Sequence, residues 1–448
     1  MSCRKCPYGG CPRPRVKEVL GENPEVYLIE KRYELIHSIV SQVMRGERPL
    51  TLSDLLDKIF LHKVFGIPIF LALWWALFRF TFDVSAPFSD MIDMAFSTLG
   101  DLALTHVRNP VLASFLSQGI CAGFGSVLVF IPPIFFLFLG LAILEDTGYL
   151  ARAAFVMDRL MYRLGLHGRS FIPMLIGFGC NVPAIMATRT IDTEQDRILT
   201  ILVNPLMSCS ARLPVYVLIA GAVLGAHAAA GIYSMYLLGI ALAICMALLF
   251  RNVIPYFKTE RPAFIMELPL YAVPTGRGLL MHMWERGSLF LKKAGAVIFT
   301  VMILVWFLST NPWAATQGGV YIEHSYVAML GRALEPIFRP LGFDWRCAAA
   351  LFFGFLAKEI VVETFGLLTG AGGEAGLREA VSEMFTPLRG LAFMAFTLIY
   401  IPCVATIAVI YRETNSVKWT VFTVVYELLL AYAVSLLIVS VGGLLGFT

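Results

Sequence analysis

Charge is what this chain has least of. Asp, Glu, Lys and Arg make up 15% of its 448 residues and hydrophobic residues 58%, whereas soluble domains are about a quarter charged. An ordinary soluble domain is excluded, and a polytopic membrane protein is indicated. No secretory signal peptide is legible, because about the first sixty residues are polar. No GxxxxGK[ST] phosphate loop occurs, so nucleotide drive would need another chain. The glycine-rich run at 370–376 has no Lys-Ser/Thr after it and no strand before it. HExxH, GxSxG and basic runs interleaved with aromatics are absent too, against zinc peptidase, serine hydrolase and nucleic-acid binding. The nine cysteines do not suggest a disulfide framework.

The chain reads as an all-α polytopic protein. Residues 1–63 are cytoplasmic in character, a Cys-rich tail and an amphipathic helical lead-in. Its Cys3, Cys6 and Cys11 (CxxCx4C) offer three thiols for zinc or an iron–sulfur cluster, with a disordered basic tail as the plainer alternative. Residues 64–126 hold the first span (Val64 to Phe82), an acidic outer loop with Asp83, Asp90, Asp93 and Asp101, and the start of the second span. The basic run Arg152, Arg159, Arg163, Arg169 marks an inner segment, with an amphipathic interfacial helix at its centre. Counting charges onward makes Phe171 to Ala187 a re-entrant hairpin with its tip near Gly177–Asn181. Residues 251–287 form a basic cytoplasmic linker.

Residues 127–250 and 288–448 read as two copies of one unit, each with a broken hairpin followed by two spans. At an offset of 177, Tyr149 matches Tyr326, Gly165 matches Gly342, Arg169 matches Arg346 and Gly177 matches Gly354. After an insertion at about 369–385, Cys209 falls on Cys403 and Ala211 on Ala405. The charge count makes the repeat inverted, an architecture of secondary transporters with the site near mid-membrane.

The chemistry gathers at the breaks. The first copy offers Cys180, Asn181, Met207, Ser208, Cys209 and Ser210. The second offers Lys358, Glu359, Glu363 and Cys403. Glu359 and Glu363, four apart, are expected to share a helical face. Thiols with carboxylates suit a borderline or soft divalent metal better than Mg²⁺ or Ca²⁺, so Cys180, Cys209, Cys403, Glu359 and Glu363 are the candidate metal ligands. Lys358 beside Glu359 is also readable as an ion pair that neutralises an intramembrane charge. Cys121, Cys245 and Cys347 are read as packing.

GFGCNVPAIMATRTI, SCSARLPVY, LEDTGYLARAAFVMDRLM and LTLSDLLDKIFLHKVFGIPIF resemble the membrane part of the ferrous-iron transporter B family (FeoB). The two copies resemble its paired gate domains, from about Arg32 onward. The resemblance implies Fe²⁺ uptake across a prokaryotic inner membrane, with Cys180, Cys209 and Cys403 at the family's pore cysteines. It also implies a GTP-binding domain and a linker domain, where here about thirty residues with three cysteines stand. We therefore expect a transporter rather than an enzyme, its amino terminus cytoplasmic. Expected partners are membrane lipid, a separate GTP-binding protein and small accessory Feo proteins; a homo-oligomer is compatible. The rival readings are a gate-domain transporter of an organic solute such as a nucleoside, and a membrane metal or redox sensor without flux.

Overall fold

The computed structural model describes residues 24–43, 52–62, 65–129, 131–163, 166, 168–257, 270–290, 296–311, 324–369, 373–444 and 446. Cys3, Cys6 and Cys11, and with them the expected tail metal site, lie outside those residues. The described residues are helical, with no strand among them. Two compact units are distinguished, residues 1–59 with 260–267 and residues 60–259 with 268–448. The lead-in supplies α1 (Pro24–Val43) and α2 (Leu52–Phe60). Everything that follows concerns the second unit.

Its first helix, α3, runs unbroken from Gly66 to His106. At 1.5 Å per residue it is roughly 60 Å long, about twice a hydrocarbon core. The acidic stretch expected as a loop is therefore helical. Arg79 pairs with Asp83 one turn on at 2.9 Å, and an aspartate on a helix that has left the hydrocarbon keeps its water. Acidity marks where the chain leaves the membrane, and the helix need not stop there.

The return path is α4 (Pro110–Ser114), a π-turn (Phe115–Cys121), α5 (Ala122–Val129) and α6 (Ile131–Asp146). Asn109 caps its start, its Oδ1 accepting from the Val111 N–H. Pro132 and Pro133 stand at the start of α6. Pro133 has no N–H for the Val129 carbonyl, four residues back, and Ser89 Oγ of α3 donates to that oxygen instead, at 2.9 Å. Gly148, at φ +79°, turns the chain into the amphipathic α7 (Tyr149–Arg163). The chain bends there by 77°. Arg152 (1% exposed) holds the corner, donating to Gly148 O at 2.9 Å and lying over the Tyr271 ring at 3.8 Å.

Two series of elements then follow in the same order. The first is α8 (Phe171–Gly179), α9 (Asn181–Ala187), α10 (Glu194–Val203), α11 (Leu213–Val223) and α12 (Ala228–Val253). After α13 (Gly276–Phe290) and α14 (Ala296–Thr310), the second begins with α15 (Tyr326–Phe338). It continues with α16 (Trp345–Gly354), α17 (Ile360–Thr369), α18 (Gly373–Met384), α19 (Pro387–Ile399), α20 (Val404–Thr414) and α21 (Val417–Leu444). Helix α15 stands where α7 stands before the first series, and α18 fills the insertion. Glu413, at the end of α20, ties the series together, accepting from Arg189 Nε at 2.8 Å and Nη2 at 2.5 Å.

Among the described residues, five helical stretches are long and apolar enough to cross a membrane, or six if the bent pair α6–α7 is one span. This is a multi-pass membrane protein. Burial sorts the spans. Of the apolar windows in Glu194–Val223 and Pro387–Thr414, 56% and 61% is buried, against 17% for α3 and 22% for α21. The two interrupted spans are thus the centre, and the continuous helices face outward with residues such as Trp75, Met94, Leu429 and Leu437.

Helix α12 packs close to this centre at Gly239, where an added Cβ would lie 2.7 Å from Leu206 O. A backbone oxygen cannot swing aside. Gly239→Ala is therefore expected to destabilise by about 1–3 kcal/mol, read as a lowered unfolding midpoint in detergent. Gly221→Ala on α11, whose Cβ would meet nothing within 4 Å, should leave the midpoint unchanged or raise it.

Candidate functional site

Both central spans lose their helix at the same relative place. In the first, Pro205 sits in a short 3₁₀ turn, and Met207 (ψ 128°) and Cys209 (ψ 161°) are extended before Pro214 enters α11. In the second, Tyr400 (ψ 166°) and Cys403 (ψ 154°) flank Pro402. Each hairpin breaks too. Cys180 is extended between α8 and α9 (φ −152°, ψ 130°), and residues 355–359 separate α16 from α17.

Broken helices leave carbonyls without N–H partners, and in a membrane interior those oxygens must find donors in the protein. Two buried cations supply them. Arg212, 1% exposed, donates from Nη1 to Pro205 O (3.0 Å) and Met207 O (2.9 Å), and from Nη2 to Pro205 O (3.1 Å). Lys358, 2% exposed, donates from Nζ to Ile401 O at 2.7 Å and lies over the Tyr400 ring. Gly179 O, at the first hairpin's break, accepts from Ser210 Oγ at 2.9 Å.

These breaks converge on one cavity of about 340 Å³. Cys180, Asn181, Cys209, Ser210, Arg212, Lys358, Glu359, Cys403 and Thr406 line its polar wall, and Phe78, Phe82, Leu137 and Phe138 close its apolar side. Cys180, Cys209 and Cys403 are free thiols, and Cys403 Sγ is 3.1 Å from Thr406 Oγ1. Asn181 Oδ1 receives a long 3.5 Å bond from Asn204 Nδ2. Among the described residues, no three His, Cys, Asp or Glu stand close enough together to hold a metal ion.

Seven of the residues selected from sequence thus share the cavity. Three do not. Met207 is core, 4% exposed, and reaches the site only through its carbonyl. Ser208, 1% exposed, donates to Tyr216 Oη at 3.2 Å, away from the cavity. Glu363 lines a different cavity one turn along α17. Glu359 precedes the first residue of α17, so the shared helical face expected for the two glutamates does not form.

Arg212, Thr406 and Asn204 were not among the candidates. Arg212 was legible as an arginine inside an apolar span, a residue type that marks function by default in a membrane. Its role was not, because the carbonyls it serves are set by tertiary structure.

Two family descriptions match the chain, nucleoside recognition (Gate) over residues 127–223 and 291–417 and ferrous iron transport protein B C terminus over residues 232–286. The chain is 46% identical over 428 residues to the Fe(2+) transporter FeoB of Methanocaldococcus jannaschii, covering 94% of this chain and 64% of that one. It is 38% identical over 471 residues to the Fe(2+) transport protein A/Fe(2+) transporter FeoB fusion protein of Porphyromonas gingivalis, covering 94% and 56%. For the Fe(2+) transporter FeoB of Staphylococcus aureus (strain MSSA476) the values are 43% over 400 residues, 88% and 59%. The chain therefore spans somewhat under two thirds of the length of these relatives. No solved structure matches it.

Because Arg212 serves two carbonyls and Lys358 one, their removal should differ in effect. Arg212→Met is expected to lower stability by about 2–5 kcal/mol and Lys358→Met by about 1–3 kcal/mol, the range for buried polar groups left unpaired. Denaturant unfolding in detergent micelles checks both. Equal stability of Arg212→Met and wild type would show that the break carbonyls do not depend on it.

Proposed function

The chain belongs to the ferrous-iron transport protein B family, and on that premise we propose that it passes Fe²⁺ across a prokaryotic inner membrane into the cytoplasm. The pathway runs through the cavity between two inverted gate repeats. The observation that carries this reading is the convergence of Cys180, Cys209 and Cys403 with Glu359 in one cavity, from breaks in both copies.

The chemistry follows from the donors. Thiolate, carboxylate and amide oxygen together suit a borderline divalent ion. Each thiol that ligates Fe²⁺ gives up its proton, so binding releases protons and strengthens as pH rises. Arg212 sets a positive background, which ionised thiols and Glu359 offset when the ion is present. Asn181 and Ser210 add oxygen ligands for an ion that has shed water. The donors are too spread to form a closed cage, which agrees with passage rather than storage, since a transported ion must leave again.

A separate GTP-binding chain and small accessory Feo proteins complete the transporter in this proposal. The P. gingivalis relative is by name a fusion with Fe(2+) transport protein A, which supports an accessory partner. The amino terminus lies on the cytoplasmic side.

The test is anaerobic ⁵⁵Fe²⁺ uptake into proteoliposomes containing the chain and, in parallel, the chain with its GTP-binding partner. Cys180→Ser and Cys403→Ser should each reduce the rate by at least about tenfold, the loss of one ligand's worth of binding. Uptake that survives both substitutions would overturn the thiol pathway. A gate transporter of nucleosides would instead show no metal dependence and no response to the cysteine changes.

A further inference from the structure

A second cavity, of about 550 Å³, lies between α3, the π-turn, α14 and α17. It brings together residues far apart in sequence, Asp93 and Asp101 of α3, Ser117 and Cys121 of the π-turn, and Glu363 and Thr364 of α17. No lysine or arginine lines it. It adjoins the transport cavity through the start of α17, because Glu359 faces one and Glu363 the other.

Two groups in its wall lack partners. Thr364, 1% exposed, has an Oγ1 that no protein group bonds, and Glu363 Oε2 is buried and equally unbonded. Such groups are strongly disfavoured unless something polar occupies the space they face. Water alone would serve the threonine. Three carboxylates without a facing cation call for positive charge as well.

We propose that this cavity binds a divalent cation with its water shell intact, as a waiting site one step from the thiol cavity. The charge of the ligand comes from the carboxylates, and its hydrated state from their spacing. Asp93 and Asp101 are eight residues apart on one face of α3, about 12 Å along the axis. That is too far for two direct bonds of about 2.1 Å to one ion. An ion holding its waters places outer carboxylate oxygens about 5 Å from its centre on each side, which spans such a gap once the side chains lean inward. Six waters occupy roughly 180 Å³, well within the cavity. Cys121 stays in the wall, since a thiol has little to offer a fully hydrated ion.

The identification of the cation as transport cargo rests on the function proposed above; the site itself does not. It is tested with Mn²⁺ as the probe, bound to the full chain in lipid nanodiscs and counted by electron paramagnetic resonance. Wild type should hold a Mn²⁺ whose proton couplings report a complete water shell. That site should persist in the Cys180→Ser, Cys209→Ser, Cys403→Ser triple variant. It should weaken by about tenfold or more in Asp93→Asn with Asp101→Asn, and likewise in Glu363→Gln, as removed countercharges require. Asp93 and Asp101 are exposed, so their double variant should keep the wild-type unfolding midpoint and remain interpretable if Glu363→Gln does not fold. Unchanged affinity in the Asp93/Asp101 variant would overturn the proposal. So would disappearance of the site with the cysteines, or a bound ion that has exchanged water for protein ligands. Failure of the thiol pathway alone would leave it standing.

Discussion

The constraint on which the rest of this structure depends is that a backbone carbonyl inside a membrane must be hydrogen-bonded. Continuous helices meet it locally. The two central spans do not, because Pro205, Pro214 and Pro402 interrupt them. An unwound stretch exposes oxygens that lipid cannot satisfy, each worth several kcal/mol if left alone. The chain answers with Arg212 and Lys358, both buried, each bonded to the carbonyls of a break. Charged donors make stronger bonds than neutral ones, and here their charge also shapes the site. The groups that make the broken backbone tolerable are the ones that set the potential beside the thiols.

Burial follows from the same need. The interrupted spans are the most enclosed, and the continuous helices form the outer wall. A broken span facing lipid would have no protein around it to supply donors. Placing the breaks at the centre also lets two hairpins reach them, so that Cys180, Cys209 and Cys403 line one cavity. The thiols meet because the breaks meet.

Much of this was legible in sequence. Gly, Pro, Asn and Cys clustered in apolar runs point to broken backbone, since each residue either disrupts a helix or has no packing reason to be there. What failed were inferences that assumed regular structure. The spacing of Glu359 and Glu363 implies a common face only inside a helix, and α17 begins one residue after Glu359. Asp83, Asp90, Asp93 and Asp101 suggested a loop, yet charge records exposure to water rather than chain geometry, and α3 passes straight through them. Ser208 looked like its neighbours Cys209 and Ser210, but in extended backbone adjacent side chains point to opposite sides, so Ser208 meets Tyr216 while Cys209 reaches the cavity, which Ser210 joins from the following 3₁₀ turn. The three amino-terminal cysteines are not among the described residues.

The two interrupted spans satisfy one requirement by different residues. At the offset that pairs Cys209 with Cys403, Met207 pairs with Ile401, and these carbonyls are the ones the cations bond. The donors do not correspond. Arg212 falls on Thr406, and Lys358 falls on Asn181 at the hairpin offset. Asn181 is too short and neutral to do what Lys358 does, so the first break supplies its own cation from a few residues downstream. The consequence is mechanical. Drawing the first hairpin away from its break costs the bonds of Ser210 to Gly179 and of Asn204 to Asn181 and leaves those of Arg212 intact. Drawing the second away breaks the bond from Lys358 and strands the Ile401 carbonyl. The Lys358 bond ties the second hairpin to its break, and Glu359, next in the chain to Lys358, is held with it.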